Sequence, residues 1–179
     1  MKKTLTAILL ASLILLACAA CGGAGEETEI SANSSQASVP PVSTELVFVH
    51  AGTRVVMGGN PEPVLAALGK PLNSYESISC AVDARDTTYR YQGFELTVTY
   101  PSLGEPYVMG VHITDDTTAA TPEGLYIGSP GEDIQRLYGP VTEDSGFYYC
   151  SKGLTRLGLH VGSDGAVDQI FYEYLFLDA

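Results

Sequence analysis

The stretch Ile127-Gly128-Ser129-Pro130-Gly131-Glu132-Asp133-Ile134-Gln135-Arg136-Leu137-Tyr138-Gly139-Pro140 decides the fold. An apolar strand ends in Gly128, Ser129 stands at the N-cap, and Pro130 presets φ at the first helical position. Glu132 completes a capping box, and it and Asp133 suit the positive end of the helix dipole. Gly139 is the left-handed stop. The predicted helix, residues 130–138, is about two turns long and is stable only when packed on something larger. The same order of residues occurs earlier, where Met57-Gly58-Gly59-Asn60-Pro61 leads through Val64 to Leu68-Gly69-Lys70-Pro71. There Asn60-Pro61-Glu62 opens a predicted helix over 61–68 and Gly69 closes it, so Val64 matches Ile134 and Gly69 matches Gly139.

The larger partner is sheet. Phe94, Leu96, Val98 and Tyr100 alternate with Glu95, Thr97 and Thr99, the period of two of a half-buried strand. Met109, Val111 and Ile113 continue the pattern after a turn from Pro101 to Pro106. Phe147 to Cys150, Leu154 to Val161 and Val167 to Phe176 read as three further strands, the last two joined by Gly162-Ser163-Asp164-Gly165. Glu45–His50 and Arg54–Met57 make an opening hairpin around Ala51-Gly52-Thr53, and the segment Ser77 to Asp86 reads as an insertion between the first helix and its sheet. The fold class is therefore α+β: two tandem repeats, residues 44–116 and 117–179, each a short capped helix on an antiparallel meander. The two form one sheet with the helices on one face.

The N-terminus is an address. Lys2 and Lys3 precede an apolar run from Leu5 to Ala17, shorter than the roughly 20 residues of a membrane-spanning helix and built like an export signal. Leu15-Leu16-Ala17-Cys18 resembles the lipobox of bacterial lipoproteins, which implies cleavage after residue 17 and a diacylglyceryl group on Cys18. Cys21, followed by Gly22-Gly23, is the alternative site. Residues 18–43 are rich in Gly, Ser, Ala and acid, and they read as a disordered tether. The expected location is the extracytoplasmic face of the cell membrane, with contact made by lipid.

Charge excludes one class of partner. With 9 Lys+Arg against 21 Asp+Glu the net charge is −12, and the loss of Lys2 and Lys3 on cleavage makes the chain more acidic still. Phosphate contacts need basic side chains, so nucleic acid is not an expected partner. His50, His112 and His160 are scattered over separate strands, without the close pairs of a zinc site. Asp115-Asp116 with Glu123 lacks the spacing of a Ca²⁺ loop, and Ser129 is accounted for by capping rather than by a nucleophile elbow. No cofactor, metal or catalytic residue is assigned, and the chain is not read as an enzyme. Cys80 and Cys150 either bridge the two repeats or remain two buried thiols.

The runs Ser79-Cys80-Ala81, Tyr89-Arg90-Tyr91-Gln92-Gly93-Phe94-Glu95, Thr99-Tyr100-Pro101, Thr114-Asp115-Asp116 and Thr121-Pro122-Glu123-Gly124 resemble a family of uncharacterised lipoproteins from Gram-positive, Clostridia-type bacteria. The tandem unit of capped helix and meander resembles the β-lactamase inhibitor protein fold, and the strand–Gly–helix–Gly segment resembles small outer-membrane assembly lipoproteins. These resemblances imply fold and address and no activity.

The expected function is that of a cell-surface lipoprotein with a non-catalytic module for an unidentified protein or small-molecule partner. The alternative is an extracellular small-ligand binder or enzyme with a cleft between the repeats, and a role in envelope assembly follows by fold analogy alone. Ten of the eleven tyrosines lie at or after Tyr89. Tyr89, Tyr91, Tyr148, Tyr172 and Tyr174 are either half-buried fillers of a core without Trp or a binding surface on the sheet face that the helices leave open. The anchor is tested by the intact mass of the mature protein, expected to begin at a diacylated Cys18, or at Cys21; an unlipidated N-terminus removes the anchor.

Overall fold

The computed structural model describes residues 45–79, 82–115 and 119–175. Phe48–His50 (β1) and Thr53–Val55 (β2) form the opening hairpin around Ala51 and Gly52, both at positive φ. Helix α1 covers Pro61–Leu68. It starts where Asn60 accepts a 2.9 Å hydrogen bond from the Glu62 N–H and stops at Gly69, φ +72°, whose N–H donates to the Leu65 carbonyl. Both ends follow from the side chains that the sequence places there.

Four strands follow: Asn73–Ile78 (β3), Ala84–Tyr91 (β4), Phe94–Pro101 (β5) and Tyr107–Ile113 (β6). After a loop come helix α2, Asp133–Tyr138, and four more strands: Thr142–Asp144 (β7), Phe147–Lys152 (β8), Thr155–Val161 (β9) and Val167–Tyr174 (β10). β3 to β10 make one antiparallel sheet in the order β3-β4-β5-β6-β10-β9-β8-β7. The last strand of each run of four meets the other at the centre, with Ile113 opposite Ile170 and Val111 opposite Tyr172. The protein is thus mostly antiparallel sheet with two short helices, an α+β architecture.

Alternation along the strands sorts the side chains. On one face Phe94, Leu96, Val111, Leu157, Leu159 and Ile170 are buried in a single core. Phe48 of β1, Val64 of α1, and Ile134 and Tyr138 of α2 belong to that same core. On the other face Arg90, His112, Ser151 and Gln169 are exposed.

Two predicted elements differ. The second helix begins three residues late, and Ser129 is not its cap. Ser129 and Pro130 are instead drawn against β10: Gly128 N–H donates to the Val167 carbonyl, Val167 N–H to the Ser129 carbonyl, and Pro130 bridges Ala166. The Ser129 hydroxyl accepts from the Tyr126 N–H, so the sheet wins the residues that a capping box would have used. The segment 77–86, read as an insertion, supplies the end of β3 and the start of β4, paired from Ile78↔Arg85 onward.

Burial raises the phenols of Tyr91 and Tyr138 above 10.0 and that of Tyr172 well above it. Burial, aided by a 2.9 Å hydrogen bond with Tyr89, pushes Tyr100 up to about 12. Unfolded, these groups ionise near 10.0, so from there to about pH 12 the folded state holds more protons than the unfolded one. The stability that these phenols contribute is then constant on the acid side of this window and falls as pH rises through it. The urea midpoint measured across that range is expected to drop.

Candidate binding surface on the open sheet face

Strand alternation brings Phe147 and Tyr149 of β8, Arg156, Gly158 and His160 of β9, and Phe171 and Glu173 of β10 to the face opposite the core. Their register pairs Phe147 with His160, Tyr149 with Gly158, Phe171 with Gly158, and Glu173 with Arg156. Gly158 makes the arrangement possible, because a Cβ there would stand 2.1 Å from Phe171 Cζ. With no side chain in the way, the Phe171 ring lies across β9 and meets the rings of β8. Its centroid is 6.0 Å from Phe147 and 6.5 Å from Tyr149, edge-on to both. Phe147 and Tyr149 stack at 6.1 Å, and His160 tilts against Phe147 at 4.8 Å. The three large rings are half-buried, so they shield one another while their outer surfaces meet solvent. Edge-to-face packing of this kind holds rings in fixed orientations.

Arg156 and His160 at this patch each have a carboxylate partner. Arg156 lies 4.8 Å above the Tyr149 ring, a cation–π contact. Its Nε donates to Glu173, and this carboxylate holds the guanidinium above its ordinary value. His160 Nδ1 is hydrogen-bonded to Asp168, the extra residue at a β-bulge between Val167 and Gln169. Beside the rings is an open hollow of about 680 Å³ lined by Thr142, Asp144, Tyr149, Ser151 and Arg156. The surface thus offers aromatic area for stacking, with hydrogen-bonding groups at its rim and the Arg156–Glu173 ion pair beside it.

Tyr89, Tyr91, Tyr148, Tyr172 and Tyr174, read either as fillers of the core or as a surface on the open face, lie on the core face. Tyr91 and Tyr172 are buried, at 8% and 2% exposure, and Tyr89, Tyr148 and Tyr174 pack half-buried against the same core. Parity is the reason: in β8 it is Tyr149, not its neighbour Tyr148, that turns away from the core. The residues that do so were visible in the sequence as Phe147, Tyr149 and Phe171, but nothing in alternation alone says which of two faces the helices cover.

Cys150 is a buried free thiol. Cys80, read as its partner in a bridge or as a second buried thiol, lies outside the described residues, as do Cys18 and Cys21.

The histidines occupy separate surroundings: His50 packs on Phe48 and Phe94, His112 is exposed on β6, and His160 belongs to the aromatic patch. Glu123 accepts from the Tyr138 hydroxyl at 3.1 Å, and Asp116 lies outside the described residues. Among the described residues no group of three or more His, Cys, Asp or Glu stands close enough to hold a metal ion. A second open hollow, of about 500 Å³, lies between Gly58-to-Asn60, Glu105-to-Tyr107 and Tyr174. Among the described residues no helix is long and apolar enough to cross a membrane.

No protein-family model and no curated protein matches the chain. Among solved structures it is similar to a cysteine-rich secretory protein from Staphylococcus aureus, with 13% identity, a TM-score of 0.45, and 70% of this chain and 46% of that one covered. It is also similar to an extracellular protein containing an SCP domain from Bacillus anthracis, at 12% identity, TM-score 0.40, and 70% and 47% coverage. A DUF4309 family protein from Bacillus subtilis matches at 16% identity, TM-score 0.38, and 69% and 83% coverage. The chain spans less than half the length of the first two.

Gly158→Ala is expected to destabilise the fold by about 1–3 kcal/mol through overpacking. Adding Phe171→Ala is expected to cancel most of the Gly158→Ala cost. A double-mutant cycle of urea midpoints reads the coupling, and strictly additive values would mean that the ring does not lie on Gly158.

Proposed function

We propose that this chain is a lipid-anchored protein of the extracytoplasmic membrane face whose α+β body is a non-catalytic binding module, with the open sheet face as its contact surface. The anchor rests on the export signal, the Cys18 lipobox with Cys21 as alternative, and the acidic tether to residue 43. The body is read as two copies of one unit, residues 44–116 and 117–179. Support for this comes from the matched helix signals and from a strand order in which two successive runs of four meet through their last members.

The observation that carries the binding role is the aromatic patch of Phe147, Tyr149 and Phe171 over Gly158. Aromatic side chains on a sheet face that neither α1 nor α2 covers supply large contact area at small entropic cost, and Tyr and Phe are enriched at interface centres. The pairing of Arg156 with Glu173 favours a partner that contributes apolar surface and neutral hydrogen-bonding groups over one that contributes net charge. A second reading, a small-ligand site, is favoured by the hollow beside Tyr174.

A photo-crosslinking residue placed at Gln169, exposed beside Phe171, is expected to capture a partner on intact cells. One placed at Ala66, exposed on α1, is not. Phe171→Ser is expected to abolish the Gln169 capture. Capture from Ala66 alone, or capture that survives Phe171→Ser, removes the open face from the function.

A further inference from the structure

β3 ends the sheet, and all six of its residues are exposed. Tyr91 and Phe94 close a two-residue turn over Gln92 and Gly93, the latter at φ +80°, and the closing pair of such a hairpin exchanges both of its N–H···O bonds. Alternation then directs the odd-numbered residues of β4 to β5 and the even-numbered ones to β3. Because Thr88 faces Tyr75 and Asp86 faces Ser77, the odd-numbered residues of β3 bond inward. The Ser79 N–H, which donates to the Ala84 carbonyl, continues that series. Ser74, Glu76 and Ile78 therefore turn their N–H and C=O groups outward, along a free edge.

We propose that this edge pairs antiparallel with β3 of a second copy of the chain, about a two-fold axis at Tyr75. Only registers that join outward-facing residues to outward-facing residues can form the ladder. In the register centred on Tyr75, Ser74 of one copy opposes Glu76 of the other and the two Tyr75 rings meet on one face, while on the other face Ile78 lies beside the bend at Leu72 of the other copy, whose N–H is turned inward to the Arg90 carbonyl. Leu72 and Ile78 are 68% and 85% exposed and Tyr75 is 50% exposed, so this register covers the apolar side chains that the edge leaves in water. The register one step to one side sets Glu76 against Glu76. The step to the other side centres on Ser74, sets Tyr75 against Asn73 and leaves Ile78 uncovered.

Charge permits the approach despite the acidity of the chain. Glu76 is paired with Arg85 and Glu95 with Arg90, so little net charge faces the copy. The strand also carries no Lys or Pro, the residues that natural edges use to prevent such pairing. The contact is isologous, and it closes after two copies.

The test is mild oxidation of the full chain in its membrane. In a non-hydrogen-bonded antiparallel pair the Cα atoms are about 4.5 Å apart, within disulfide reach. Tyr75→Cys is therefore expected to give a covalent dimer well above that of the unsubstituted chain. Ser77→Cys is not, since the two copies of residue 77 lie about 13 Å apart along the strands. Ser74→Pro added to Tyr75→Cys removes an outward N–H without touching the β3–β4 bonds, and is expected to abolish the dimer with the circular dichroism spectrum unchanged. The proposal is overturned if Tyr75→Cys fails to cross-link, if Ser77→Cys cross-links as strongly, or if the folded Ser74→Pro protein still dimerises.

Discussion

At the centre of the sheet β6 passes β10 so closely that a Cβ on Gly110 would stand 2.6 Å from the Tyr172 carbonyl oxygen. The conflict is with backbone, which cannot swing aside as a side chain can, so any residue but Gly at this place parts the two strands. β6 also carries a register shift against β5 between Thr97 and Val98 that leaves Met109 over, and such shifts deepen twist. On this seam Ile113 meets Ile170 and Val111 meets Tyr172. β5, β4 and β3 extend from one side of it and β9, β8 and β7 from the other. Leu96 and Leu159 reach the same core only because the seam holds.

How far the sequence could be read depended on whether a local signal had a rival. Asn60, Pro61 and Gly69 had none, and the first helix begins and ends where they place it. Ser129 and Pro130 carry an equally good local signal, but their backbone groups are claimed by Val167 and Ala166, so the helix waits for Asp133. β3 was not legible because Asn73 to Ile78 has no buried face and hence no alternation to write into its sequence. The opening hairpin and the turn at Gly162 to Gly165 were legible because each has a glycine, Gly52 and Gly165, at the positive φ that favours this residue. The candidate surface was half legible: period two marks which residues share a face, whereas the covering of that face depends on contacts distant in sequence.

The two faces differ in how their aromatic rings are satisfied. Tyr138 and Tyr172 lie inside the core, where the hydroxyl of Tyr138 needs Thr121 at 2.6 Å and Glu123 to be tolerated. Phe147, Tyr149 and Phe171 use one another instead and leave their outer surfaces in solvent. Such rings add little to the core, since their burial is against the sheet itself and each other. Their orientation by Gly158 is specific, which is what a surface needs if it is to be preorganised for contact.

The two edges of the sheet are treated as differently as its faces. β7 is only Thr142, Glu143 and Asp144, too short and too acidic to template a long partner strand, and so it has two of the features that keep natural edges from aggregating. β3 has twice the length, a single acid held by Arg85, and exposed apolar side chains at Tyr75 and Ile78. If open edges were a general tolerance of this fold, both would be built alike. The blunting of one edge by composition makes the exposed apolar length of the other a property to be explained by what it meets, and pairing with its own copy covers it without requiring any complementary sequence elsewhere.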